Sequence, residues 1–153
     1  MVSTVTGSAF ITDTVLYLRE FLRSNITDPL GRAGAGSDFV FSSYPKENVT
    51  YPIITVKDKN FGPSVRLGMR TEQQLLPAPF EIRVWGKNVK QRDNLSQDIY
   101  YKLRTGQYGT GSESVNVDLH DFALNSMVNV DEDGEEGIKS KVIEIQYIFI
   151  NVW

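Results

Sequence analysis

A chain of 153 residues, 41% hydrophobic and 11% aromatic, has the length of one domain and enough apolar side chain to exclude a disordered polypeptide. Nineteen acidic residues against sixteen basic ones leave a net charge of −3, which offers no basic footprint for sequence-independent binding of nucleic acid. The absence of cysteine excludes disulfides, thiolate zinc sites and thiol redox chemistry.

The first predicted element is a helix from about Thr12 to Asn25. Ile11, Val15, Leu18 and Leu22 recur at helical spacing, Leu16, Phe21 and Ile26 widen the stripe, Thr12 suits the N-cap and Asp13 the positive end of the dipole. Asp28-Pro29 blocks continuation. Residues Leu30–Asp38, with three glycines and no period, read as a mobile loop. Phe39-Val40-Phe41 begins a short strand, Tyr51–Lys57 is a better one, and Asn60–Pro63 turns the chain into Ser64–Gly68 as a hairpin or meander.

Phe80–Trp85 alternates cleanly, with Phe80, Ile82 and Val84 facing a core. A second helix follows over about Val89–Thr105, capped by Asn88, striped by Arg92, Leu95, Ile99 and Leu103, and stopped by Gly106. Gln107–Ser114 reads as a second glycine-rich loop. Val115–Leu119 and Ala123–Val130 are strand candidates, Asp131–Gly137 is an acidic turn, and Ile138–Trp153 is a long final strand. Helices and strands do not alternate regularly, so the expected class is α+β, a mainly antiparallel sheet with two helices packed on one face, in a single domain over 1–153.

The final strand presents Ile143, Ile145, Tyr147 and Phe149 on one side. On the other it presents Val142, Ile148, Ile150 and Val152, interrupted by Glu144 and Gln146. A strand wet on one face should alternate, and this one turns apolar on both faces toward its end. Two helices cover only one sheet face, so Ile148, Ile150, Val152 and Trp153 are candidate subunit-interface residues; the alternative is that the long loops fold over them.

Little in the sequence carries chemistry. His120 is the sole histidine, without a nucleophile elbow anywhere, and reads as a surface or packing residue. One histidine and no cysteine suit zinc poorly. Asp131-Glu132-Asp133-Gly134 supplies only the opening fragment of a calcium loop. Gly31–Gly36 follows a helix rather than a strand and lacks the Lys-Ser/Thr pair of a phosphate loop. No catalytic, cofactor-binding or metal-binding residue is assigned, and the chain is expected to be non-enzymatic. The N-terminal residues have no secretory-signal pattern and no run reaches the roughly 18 apolar residues of a membrane span, so synthesis in the cytoplasm is the expectation.

The element order resembles the tail terminator proteins of long-tailed bacteriophages and related archaeal viruses. The resemblance is carried by Thr14–Leu22, Tyr51–Val56, the passage Phe80–Gly86 into the helix Arg92–Tyr100, and the closing hairpin. It implies a virion protein at the head–tail junction, a homohexameric ring that ends the tail tube and joins it to the neck. The implied partners are tail tube subunits on one side and the neck connector on the other, with DNA passing through the channel without specific binding. The acidic turn and the long final strand match no shared motif of that family. In a ring, Asp131, Glu132, Asp133, Glu135 and Glu136 would be channel-facing, since packing five carboxylates into a closed contact is costly; a plain solvated hairpin tip is the alternative. The alternative functions are a head-completion or stopper protein or another virion connector, then a ligand-binding module or cryptic enzyme. A connector that seals DNA should offer it basic residues, and this chain is weakly acidic.

Overall fold

The computed structural model describes residues 10–32, 39–46, 49–60, 65–66, 73–108, 119–130 and 139–152. Helix α1 (Phe10–Asn25) is followed by β1 (Val40–Phe41), β2 (Ile53–Asp58), β3 (Val65–Arg66) and β4 (Gln73–Gly86), then helix α2 (Val89–Tyr108), β5 (Leu119–Asn129) and β6 (Lys139–Val152). The strands form one six-stranded sheet in the order β1-β2-β4-β6-β5, with β3 paired to β4 beyond the end of β2. Only β1 and β2 are parallel; every other pair is antiparallel. The chain is an α+β fold, with both helices over one face.

That face holds the core. Leu18, Phe21, Leu22 and Ile26 of the α1 segment and Leu95, Ile99 and Leu103 of α2 pack with Ile54 and Val56 of β2, Ala78, Phe80, Ile82 and Val84 of β4, and Ile143, Ile145 and Tyr147 of β6. The register sets this grouping, because Ile54 faces Val84, Val56 faces Ile82, Ile82 faces Ile143 and Phe80 faces Ile145. Cross-strand partners share a face, and residues two apart along a strand return to it. Helix α1 lies over β1 and β2; α2 lies over β4, β6 and β5.

Several boundaries depart from the sequence reading. Thr12 lies inside the first turn of α1 rather than capping it. The apolar stripe already includes Ile11, and the period outweighs the cap signal. Gly106 does not stop α2, which continues to Tyr108 with Gly106 buried. Leu30, Gly31 and Arg32 are fastened rather than loose. The Asp28 carboxylate accepts hydrogen bonds from the Leu30 and Arg32 N–H groups, each at 3.0 Å, and from the Arg32 guanidinium at 2.8 and 3.1 Å. Residues 33–38 and 109–118, which hold the rest of both predicted loops and Val115–Asp118, lie outside the described residues.

The largest departure is β4, which runs seven residues further back than its alternating segment, through Pro77 and Pro79. The Pro79 carbonyl accepts from Lys59 N at 3.1 Å, so Pro79 aims its backbone polar groups away from β6 and toward the β2 side. Within a ladder the N and O of one residue point the same way, and Pro77, two residues away, does likewise. Both missing N–H groups therefore fall on the edge where β2 has ended, and the β4–β6 ladder loses nothing.

Candidate functional site: the helix-free face

The second face of the sheet carries Ile53, Thr55 and Lys57 from β2, Pro77, Pro79, Glu81, Arg83 and Trp85 from β4, and Ser140, Val142, Glu144, Gln146 and Ile148 from β6. No helix covers it. At one end Tyr44 and Tyr51, from the connection between the parallel strands β1 and β2, come against it. Tyr44 packs edge-on to Trp85 with ring centroids 5.1 Å apart, and its hydroxyl hydrogen-bonds that of Tyr51. Ile53, cross-strand partner of Trp85, is buried there, apart from the main core.

The rest of this face is dressed with charge. Lys57 pairs with Glu81 at 3.1 Å, and Lys59 pairs with Glu144. The Lys59 ammonium holds the Glu144 carboxyl below its usual value, chiefly by its hydrogen bond and against a smaller effect of burial. The same contact holds Lys59 above its usual value. Each of these pairs is neutral, so they give that part of the face polar cover without net charge.

Arg83 is different. Its guanidinium lies 3.9 Å above the Trp85 ring, and Nη2 donates to the Ser140 hydroxyl at 3.1 Å. Its Nε–H and the Trp85 Nε1–H are both buried without an acceptor. No carboxylate pairs with Arg83 among the described residues. The sequence reading missed this cluster, because Tyr44 and Trp85 are distant in the chain and only the β1–β2 crossover brings them together.

Of the candidate interface residues, Ile148 is half-buried on this face, opposite Pro77 and His120. Ile150 and Val152 extend β6 opposite Leu75 and Gln73. Trp153 lies outside the described residues, as does the acidic turn with Asp131, Glu132, Asp133, Glu135 and Glu136. The hairpin that bears the turn is closed by Val130 N on the Ser140 carbonyl at 2.9 Å, and the Ser140 hydroxyl donates to the Val130 carbonyl. Strand β5 is the free edge on that side. Val128 is 52% exposed and Leu124 38%, so apolar side chains flank unpaired backbone.

His120 is half-buried on β5 and has no Ser, Asp or Glu partner among the described residues. No group of three metal-ligating side chains occurs among them, and no helix is long and apolar enough to cross a membrane. A groove of about 430 Å³ lies between Pro29 and the first turns of α2, lined by Asn88, Lys90, Gln91, Asn94 and Asp98. Its one lysine and one aspartate converge on no particular ligand chemistry. No family model matches the chain, and no curated protein aligns with it significantly.

Proposed function

We propose that the chain is a non-enzymatic virion protein of the tail terminator type, acting as a hexameric ring that ends the tail tube and joins it to the neck. The helix-free face carries this reading. One side of the sheet is sealed by two helices, while the other bears neutralised ion pairs, a half-buried Ile148 and an exposed Val128 on the free β5 edge. A neighbouring subunit is the economical cover for such a surface. Tube subunits and the neck connector would occupy the two ends of the ring, and DNA would pass through its channel without specific contacts. The weakly acidic composition agrees with a protein that lets DNA by rather than gripping it.

Electron microscopy of assembled particles tests the reading. A ring of this chain at the head–tail junction is expected. Particles whose junction lacks this chain would overturn it, and a ring seated against the portal rather than the tube would assign it to the connector instead.

A further inference from the structure

We propose that Asp121 of one copy pairs with Arg83 and Trp85 of the next, forming the head-to-tail contact of the ring. The inference deepens the ring reading above and rests on it.

Asp121 is the sole non-glycine residue at positive φ among the described ones, with φ 50°. It sits in an irregularity of the edge strand β5 between His120 and Ala123, and it is exposed. Aspartate tolerates this left-handed backbone better than most residues, and such outliers point to function more often than regular positions do. Asp121 is exposed on the free edge strand, and its carboxylate has no hydrogen bond or ion pair among the described residues. Arg83 and Trp85 supply the complement: a cation without a carboxylate, and two neighbouring N–H groups without acceptors. Tyr44, 44% exposed, lies edge-on over Trp85. Tyr44 is held there by its Trp85 and Tyr51 contacts, and its exposed ring can change rotamer when a partner approaches.

The two halves cannot meet within one subunit. Arg83 lies in register with Val142 and Val128, whereas Asp121 falls opposite the stretch Gln146–Ile148. Two strand spacings across and five residues along separate their backbones by about 19 Å, beyond the reach of an Asp–Arg pair. Arg83 and Trp85 lie on the middle strand β4 and Asp121 on the edge strand β5, so the two patches are distinct parts of the surface. A contact joining unlike patches on successive copies repeats, and with suitable rotation it closes into a ring. Arg, Trp and Tyr are the residue types that dominate interface energetics.

Sedimentation velocity over a dilution series, with native mass spectrometry for stoichiometry, tests the contact. Arg83→Asp and Asp121→Lys should each weaken self-association by on the order of thirtyfold or more, as loss of one partner of a desolvated charge pair does. Combining them should restore most of it. Because Asp121→Lys strains the left-handed backbone, Asp121→Gly serves as a second variant: it relaxes the backbone and should still weaken association, with thermal melts showing that both fold. In ¹⁵N NMR the Trp85 indole N–H should shift on association of the wild type and stay fixed in Asp121→Gly. Association unchanged in the single variants overturns the contact and leaves the ring standing. A wild type that stays monomeric throughout, alone and with tail tube protein, overturns both.

Discussion

Tyr147 is completely buried between the helices and the sheet, and its hydroxyl has no hydrogen-bond partner among the described residues. Burial, reinforced by Tyr17, pushes its phenol far above the usual value, so the group stays neutral. A buried hydroxyl without a partner costs about 1–3 kcal/mol of desolvation. Tyr147→Phe, which keeps the ring against Phe122, is therefore expected to raise stability by about 1 kcal/mol in chemical denaturation. The opposite sign is expected at Gly86. A Cβ there would sit 3.0 Å from Arg92 N and 3.2 Å from Arg92 Cα, against helix backbone that cannot step aside. Gly86→Ala should cost about 1–3 kcal/mol, the range for overpacking, read from the shift in denaturation midpoint.

Asp28 gives a pH signature at the same scale. Burial raises its carboxyl, but the hydrogen bonds from Arg32 and from the Leu30 and Arg32 amides outweigh that and hold it below 3.8. A depressed folded-state value means the stabilisation is complete above the unfolded value and is lost as pH falls through the folded one. Asp28→Asn should thus destabilise the protein at pH 7, and its deficit should close as the pH is lowered beneath 3.8. A deficit that stays constant with pH would show that Asp28 acts only through shape.

At the scale of elements, the start of α2 is the clearest local signal. Asn88 Oδ1 accepts from Gln91 N at 2.8 Å, and the Gln91 side chain returns a hydrogen bond by accepting from Lys87 N at 2.9 Å. Asn88→Ala should cost about 1 kcal/mol in thermal or urea unfolding. This cap was legible because it depends on residues three or four apart. So were the core faces of α1, of Phe80–Trp85 and of β6, where the period is local and the burial is one-sided. The backward extension of β4 was not legible. Two prolines argue against a central strand, and only the ending of β2 at Asp58 frees the edge they face. The Arg83–Trp85–Tyr44 cluster was hidden for a similar reason, since a parallel pair joined by a crossover leaves no period in the sequence. On the second face of β6, Glu144 is held by Lys59, which comes from far earlier in the chain and left no local signal.

At the scale of the molecule, the helix-free face and the β5 edge are what a ring would use. Asp131, Glu132, Asp133, Glu135 and Glu136 would then line the channel with one acidic turn per subunit, disfavouring adhesion of DNA in transit. Changing the five to Asn and Gln should leave assembly intact and slow DNA ejection, measured by release of packaged DNA from triggered particles; unchanged ejection would return the turn to an ordinary solvated tip. The place of β6 has a consequence for biosynthesis. It is the last strand of the sheet in sequence, yet it lies between β4 and β5 and pairs with β4 along fourteen residues. Until it leaves the ribosome, β4 keeps a fourteen-residue edge open and β5 has no strand to pair with among the described residues. At about 5–20 residues per second the chain is made up to residue 138 with the centre of its sheet missing. Nascent chains stalled before residue 139 should accordingly be protease-sensitive and prone to pair with one another.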